Sequence, residues 1–407
     1  MSPYAPVPAP RAEGPLPSAW PHVARVAAAL AAGMGVGRFV YTPVLPLMHT
    51  QAGLSTDAGA HLATANYVGY LLGALAGTLF PALVRSRVVL RGSFVLLICT
   101  LAAMPVTHST TVWIALRLSA GVASALIFVV AVSSLLGHLR NHPAHMPGWG
   151  FGGVGAGIAL SGLLVLALRS VADWQVAWWS SAALATALAT AAWNLRPEVP
   201  AEPSTGAPAT VVDPWFGALF SSYTLEGIGY IVAGTFLVAA IGQSSPGWIG
   251  SGAWVLVGLA AVPSSALWAR LGRRWSRPAL LCVALVIQAV GIALPALVGG
   301  VAAALVSAVL FGATFIGIST LALATGAELR FPRSVALLTA GYSVGQILGP
   351  LAVAPLLHHG YRPALLLAAA VVLAAAVAAA ALRAGLPRHA VALRRSVPAK
   401  EIRTADR

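Results

Sequence analysis

Residues 22–48 read HVARVAAALAAGMGVGRFVYTPVLPLM, an apolar stretch long enough to form a helix that crosses a lipid bilayer. Two charged residues interrupt it, Arg25 near its start and Arg38 further along. A helix rises about 1.5 Å per residue, so Arg38 lies about 20 Å beyond Arg25 and near the middle of a bilayer. The stretch therefore predicts a membrane helix with a cation at a depth where cations are costly.

The whole chain has the composition of a polytopic helical membrane protein. Its 407 residues are 58% hydrophobic and 8% charged, whereas soluble domains carry about 25% charged residues. So few charges cannot cover a soluble protein of this size, and disorder requires low hydrophobicity. The mean hydropathy of +0.85 agrees with this assignment. The composition excludes an ordinary soluble enzyme and a disordered chain.

Twelve apolar segments predict twelve transmembrane helices. Most are bounded by Pro, Gly or charge, and several tryptophans fall near their ends, as interfacial aromatic residues do. Ala- and Gly-rich sequence blurs the boundaries of the tenth and eleventh segments. The segments are 22–48, 58–82, 88–108, 111–136, 147–169, 174–195, 215–241, 249–270, 277–297, 300–328, 334–357 and 362–384.

The basic residues predict the orientation. The chain has 24 Lys and Arg against 10 Asp and Glu, a net charge of +14, but it lacks the aromatic-interleaved basic segment typical of nucleic-acid binding. With a cytoplasmic N-terminus, 20 of the 24 fall on the cytoplasmic side and two on the other, which is a positive-inside pattern. We therefore expect a multi-pass protein of the cytoplasmic (inner) membrane with both termini cytoplasmic. The 20 are Arg11, Arg25, Arg85, Arg87, Arg91, Arg140, Arg196, Arg270, Arg273, Arg274, Arg277, Arg330, Arg333, Arg383, Arg388, Arg394, Arg395, Lys400, Arg403 and Arg407; the two are Arg169 and Arg362.

The longest polar interruption divides the chain into two sets of six spans. It is rich in Pro and small residues, as a connection between two moving bundles would be. The basic C-terminal tail is expected to contact anionic membrane lipids. The predicted units are a cytoplasmic N-terminal tail at 1–21, a six-helix bundle at 22–195, a cytoplasmic linker at 196–214, a second six-helix bundle at 215–384 and a basic cytoplasmic tail at 385–407.

The two halves carry a weak internal repeat. Residues 35–40, GVGRFV, align with residues 227–232, GIGYIV, at an offset of 192. Glycines of the fifth span align with glycines of the eleventh at an offset of 193. Because the two offsets agree to within one residue, they favour a duplicated six-plus-six transporter plan.

Twelve spans, a central cytoplasmic loop and this repeat resemble the major facilitator superfamily. Residues 269–274, ARLGRR, are similar to the superfamily's D-R-x-G-R-R loop, with Ala269 in place of the Asp. By that resemblance Arg270, Gly272, Arg273 and Arg274 form a cytoplasmic gating loop. The loop after the second span also lacks the acid, and residues 117–121, RLSAG, resemble the R-x-x-x-G motif of the fourth span.

The resemblance is narrower still to the YbfB/YjiJ-type branch of that superfamily. It is carried by residues 35–46, GVGRFVYTPVLP, residues 66–70, NYVGY, and residues 223–231, YTLEGIGYI. The fold implied is an all-α polytopic membrane protein with two pseudo-symmetric six-helix bundles. The activity implied is secondary transport by alternating access. We expect a monomer that needs no cofactor and no metal.

Arg38 is the first candidate for substrate binding. Tyr41 and Thr42 follow it at i+3 and i+4 and would share its face of a regular helix. One interpretation is a cationic clamp for an anionic substrate group, with these two hydroxyls as hydrogen-bonding neighbours. The other is a structural arginine bound to backbone carbonyls or to a buried acid.

Glu226 is the second candidate, about 16 Å along the seventh span from Trp215 and again near the midplane. Tyr223 and Tyr230 flank it at i−3 and i+4. A carboxyl group here can change its protonation and so couple transport to protons. The alternative is a permanent salt bridge between Arg38 and Glu226.

Arg117 of the fourth span either handles substrate or protons, as the resemblance implies, or only holds neighbouring helices together. Secondary cavity candidates share helix faces in pairs; they are Asn66 with Tyr70, and Tyr342 with Gln346.

Together these observations predict a secondary active transporter for a small organic solute, coupled to protons and not an enzyme. The alternatives from other classes are an intramembrane lipid-handling enzyme and a non-transporting membrane sensor. The enzyme would need a clustered nucleophile or acid–base set, and the sensor would normally carry a soluble domain. The expected partners are a small-molecule substrate, protons and lipids, with no nucleic acid.

Overall fold

The computed structural model is helical wherever it describes a long element. It describes residues 19–139, 142, 145–168, 170, 172–197, 214–244, 247–329, 331 and 334–396, without side chains at 214, 244, 247 and 384–396. Several sequence-based predictions fall outside these residues. They concern the N-terminal tail to residue 18, most of the linker, the end of the C-terminal tail, and Arg11, Arg140, Arg169, Arg330, Arg333, Lys400, Arg403 and Arg407.

The long helices are numbered α1 to α12 in chain order. Short helices at Pro81–Val84 and Met104–Val106 follow α2 and α3. The bounds are Trp20–Gln51, Thr56–Leu79, Arg87–Ala103, Thr110–His138, Met146–Leu168, Trp174–Ala192, Pro214–Ser244, Gly247–Leu271, Arg277–Leu297, Gly300–Glu328, Ser334–Leu357 and Tyr361–Ser396.

Eleven helices in the described part of the chain are long and apolar enough to cross a membrane. The helix that falls short is α6, Trp174–Ala192. Its Trp, Gln, Ser and Thr side chains lower its hydropathy. The chain is therefore a multi-pass membrane protein, and the twelfth span stays a prediction.

The first helix is not continuous. It is α-helical over Trp20–Leu30, π-helical over Ala31–Val36 and α-helical again over Tyr41–Gln51. The amides of Gly37 and Phe39 donate to carbonyls five residues earlier, at Ala32 (2.9 Å) and Met34 (3.2 Å). Such π-turns are frequent at functional sites. The irregular residues 37–40 include Arg38.

Helices α1–α6, here called the first helix group, and helices α7–α12, the second helix group, meet along three lines. The most extensive is α5 against α8; α2 against α11 and the end of α1 against α7 follow. Along α5, a side chain at Gly148 or Gly152 would collide with the backbone of Ala266 or Val262 on α8. These glycines therefore serve close packing, as small residues in membrane helices often do.

Within the first helix group, α2 and α4 approach at Gly69. A Cβ atom there would overlap the carbonyl oxygen of Leu118. We expect Gly69→Val to lower the free energy of unfolding by about 2–3 kcal/mol through overpacking. The comparison is Gly92→Val, because nothing lies within 4 Å of a Cβ at Gly92 of α3. Thermal unfolding in detergent checks this, and equal melting temperatures for the two variants would contradict it.

Candidate functional site

Arg38 is buried, with 2% of its surface exposed. Its Nη2 donates to Oε1 of Gln346 on α11 at 2.6 Å, a contact between the two helix groups. The guanidinium also lies over the rings of Tyr67 and Tyr70 on α2, at 4.7 and 4.5 Å from their centroids. Cation–π contacts of this kind are stronger when both partners are desolvated. Arg38 is thus held on one side by aromatic faces and on the other by an amide.

Gln346 continues the hydrogen-bond chain into the second helix group. Its Nε2 donates to the hydroxyl oxygen of Tyr230 on α7 at 2.5 Å. The predicted candidates Arg38, Gln346 and Tyr230 therefore come together around one amide, and Tyr70 lies against the guanidinium of Arg38. We call Arg38, Gln346 and Tyr230 the central junction.

Stacked rings extend from the central junction along the second helix group. Tyr342 stacks on Tyr223 (centroids 4.3 Å apart) and on Tyr230 (5.3 Å), and Tyr230 stacks on Phe315 of α10 (5.2 Å). Adjacent planes differ by no more than 24°. The three tyrosines were predicted site residues and Phe315 was not, because apolar residues are common throughout the chain. Its ring contacts distinguish it, and they include Phe39 of the first helix group at 5.5 Å as well as Tyr230.

Tyr41 and Thr42, predicted to neighbour Arg38 at i+3 and i+4, have their hydrogen-bond partners elsewhere in the described residues. A π-type hydrogen bond at Phe39 alters the regular helical spacing between Arg38 and these two residues. Tyr41 instead donates to the carbonyl of Gly59 at 2.8 Å. Thr42 donates to the carbonyl of Gly234 on α7 at 2.5 Å. Both hydroxyls contact backbone rather than the guanidinium.

Arg117 binds the interrupted segment of α1. Its Nη1 and Nη2 donate to the carbonyls of Gly37 (3.3 Å) and Arg38 (3.2 Å). The amide of Asn66 donates in turn to the carbonyl of Arg117 at 2.9 Å. These contacts favour the interpretation that Arg117 and Asn66 hold helices together, since Arg117 links α4 to α1 and Asn66 links α2 to α4 through backbone carbonyls.

Glu226 is fully buried on α7, and neither carboxyl oxygen has a hydrogen-bond partner among the described residues. No ion pair joins it to Arg38 in the described part of the chain, and the permanent salt bridge considered from the sequence is not formed. The two residues are linked indirectly, because Tyr230 accepts from Gln346, which binds Arg38, and Tyr230 follows Glu226 by one helical turn. The residue that faces the carboxyl group is Gln288 of α9.

Gln288 and Tyr67 were not among the predicted site residues. Tyr67 shares a hydrogen bond of 2.7 Å with the hydroxyl of Thr235 on α7, a further link between the helix groups. Tyr67 belongs to the 66–70 motif NYVGY, and this motif was the sequence feature that could have identified it. Gln288 is a single amide in an apolar helix, and the orientation of α9 about its own axis decides which neighbours the amide faces.

The predicted gating loop forms a short turn after α8. The amides of Arg273 and Arg274 donate to the carbonyls of Arg270 and Leu271. No ion pair involves Arg270, Arg273 or Arg274 in the described residues. The loop's next basic residue, Arg277, instead pairs with Glu328 at the end of α10. Glu328, at the end of α10, therefore has the basic residue Arg277 at the start of α9 as a partner.

We expect Gln346→Leu to lower the free energy of unfolding by about 1–3 kcal/mol, because it leaves a buried guanidinium donor without its acceptor. Thr339→Val on the same helix is the control, since its hydroxyl bonds only to the carbonyl of Val335 on its own helix and is exposed. Thermal unfolding of the two variants in one detergent checks this. Equal stability would mean that Arg38 finds another acceptor.

The fold is that of the major facilitator class of membrane transporters. A family model described as uncharacterised MFS-type transporter YbfB matches residues 30–380, and the chain belongs to that family. A solved structure of a variant of the nucleoside transporter NupG is similar in fold, with a TM-score of 0.66 at 13% identity, over 89% of this chain and 99% of that one. A search of curated proteins finds no significant match.

Proposed function

We propose that this protein is a secondary active transporter that moves a small organic solute by alternating access and is coupled to protons. The observation that carries the proposal is the central junction, where Arg38 of the first helix group meets Gln346 and Tyr230 of the second. A buried cation between two helix groups can bind an anionic solute group, and movement of the groups would remake its contacts.

The two helix groups are proposed to be six-helix bundles related by a pseudo-twofold axis, with α6 as the twelfth span. Contact between equivalent residues supports this. Residues 42 and 234 differ by the repeat offset of 192, and Thr42 donates to the carbonyl of Gly234. Residues related by a twofold axis meet each other only near that axis. The axis would thus pass within a few residues of Arg38.

The solute site is proposed at the central junction and its aromatic surroundings. Arg38 would bind an anionic group, while Gln346, Tyr230 and Tyr70 would offer polar contacts and ring faces. Glu226 would take up and release the coupling proton. The protein is proposed to lie in the inner membrane as a monomer with both termini cytoplasmic, an orientation supported by the distribution of basic residues.

Counterflow in proteoliposomes tests the proposal. Vesicles containing the purified protein are loaded with each member of a panel of organic acids and neutral solutes, and uptake of the labelled solute is followed with and without an imposed pH gradient. We expect at least one acid to exchange, and the gradient to drive its accumulation. If no member of a broad panel moves in either condition, secondary transport of organic solutes is contradicted.

A further inference from the structure

Glu226 and Gln288 form an isolated polar pair inside the second helix group. Both side chains are fully buried. Their four terminal polar atoms, two on each side chain, all lack a hydrogen bond of standard geometry in the described residues, although the amide faces the carboxyl group. Buried polar atoms are nearly always paired in proteins. Each of these side chains is therefore the available partner of the other.

The position of α9 separates this pair from the central junction. Its main packing partners in the described residues are α10 and α12, with a smaller contact to α7, all within the second helix group. One turn beyond Gln288, Ser307 of α10 donates to the carbonyl of Gly291 on α9 at 2.5 Å. The carboxyl group of Glu226 is thus directed into one helix group rather than toward the boundary between the two.

The other titratable groups that face Glu226 are tyrosines. Tyr223 and Tyr230 lie on the same helix and Tyr342 lies on α11, and each is within electrostatic reach of the carboxyl group. No basic side chain in the described part of the chain pairs with it. Changes in its proton occupancy must therefore be accommodated by neutral hydrogen-bonding groups.

A primary amide suits that task in both protonation states. An ionised carboxylate accepts hydrogen bonds only, and the amide N–H₂ group can donate to it. When a proton from water binds a carboxylate oxygen, that oxygen becomes an O–H donor, and the amide carbonyl can accept from it. Rotation of the amide about its terminal bond is enough to exchange the two arrangements.

We propose that Gln288 is the positioning residue for the protonation site, and that it holds the Glu226 carboxyl group inside the second helix group in both the ionised and the protonated state. This inference rests on the proposed proton coupling. It separates the proton site from the solute site, and Tyr230, the member of the central junction on α7, lies one helical turn from Glu226.

Infrared difference spectra of the protein in lipid vesicles, recorded between acid and alkaline pH, test the pair without any solute. We expect a carbonyl band of a protonated carboxylic acid that Glu226→Gln removes. In Gln288→Met, the same band should move to higher wavenumber, because the acid loses its hydrogen bonds to the amide. Methionine is close to glutamine in size and adapts to irregular packing.

Transport supplies the second measurement, with a solute found by counterflow. We expect Gln288→Met to slow gradient-driven accumulation about tenfold, equivalent to about 1.4 kcal/mol. Ser307→Ala is the control, because it removes a buried hydrogen bond between α9 and α10 without contacting Glu226. It should leave both the band and the accumulation as in the unmodified protein.

The possible failures are distinguishable. An acid band that Glu226→Gln does not affect, or that Gln288→Met leaves in place, overturns the assignment of Gln288. Equal shifts of the acid band in Gln288→Met and Ser307→Ala would show a general packing effect. That result would also overturn the assignment of Gln288. If no solute moves in the unmodified protein, the proposed function fails, while a band shift specific to Gln288→Met still supports the pair.

Discussion

Arg38→Met is expected to reduce solute counterflow at least about 100-fold, the largest effect of any single substitution in the central junction. A factor of 100 corresponds to about 2.8 kcal/mol of lost solute interaction, within the range of a desolvated arginine at a binding site. Methionine keeps the length of the aliphatic part but removes the charge and every donor. It also removes the hydrogen bond to Gln346 and the ring contacts with Tyr67 and Tyr70.

The measurement is initial counterflow of the solute identified by the panel, divided by the amount of folded protein. Arg91→Met is the matched control, because Arg91 also lies over a ring, that of Trp193, but is partly exposed. It should retain nearly full counterflow. If Arg38→Met lowers the melting temperature yet transports normally per folded molecule, Arg38 is a structural residue and the proposed solute site is wrong.

Glu226→Gln is expected to abolish accumulation driven by a pH gradient. Glutamine has almost the same shape as protonated glutamate, but it neither gains nor loses a proton at the pH values of a transport assay. If solute movement is coupled to the proton on Glu226, a pH gradient can no longer drive accumulation in this variant. Burial of the unpaired carboxyl group is costly in the ionised state. The substitution should therefore leave the fold intact or make it more stable.

Uptake against an imposed gradient, compared with uptake at equal pH on both sides, measures the coupling. In Glu226→Gln the two should be equal, whereas the unmodified protein should accumulate solute only with the gradient. Persisting gradient-driven accumulation would show that the coupling group lies elsewhere. Thermal unfolding of the same preparation establishes that any loss does not come from misfolding.

The sequence predicted the helices well because apolar length and flanking Pro, Gly and charge are local properties. The ninth, tenth and eleventh predicted segments have the same bounds as α9, α10 and α11, although Ala- and Gly-rich sequence blurred two of them. The sixth segment forms a helix as predicted, but its hydropathy does not by itself identify a membrane span. The π-helical turn of α1 was not predicted, because its surroundings come from distant parts of the chain: Arg117 of α4 binds the Gly37 carbonyl, and Gly35 closely approaches Gly157 of α5.

The residues of the central junction were predictable, but their pairing was less so. Arg38 was predicted from its depth, Tyr230 from its spacing to Glu226 and Gln346 from the helix face that it shares with Tyr342, and the structure brings the three together. Depth along a helix follows from the sequence, whereas rotation about the helix axis follows from packing. That difference explains why Glu226 was matched with Arg38 but faces Gln288, and why Tyr41 and Thr42 were grouped with a guanidinium that they do not contact.

The interruption of α1 has a mechanical consequence. The segment before it, Trp20–Leu30, packs on α5 of its own helix group, while the segment after it, Tyr41–Gln51, packs on α7 of the other group as well as on α6 of its own. The backbone between the two segments stays helical and hydrogen-bonded, with wider π-type turns that end at Gly37 and Phe39. A rotation of one group against the other would load α1 at this turn. Arg38 lies there, so bending of the turn would change the direction of its side chain.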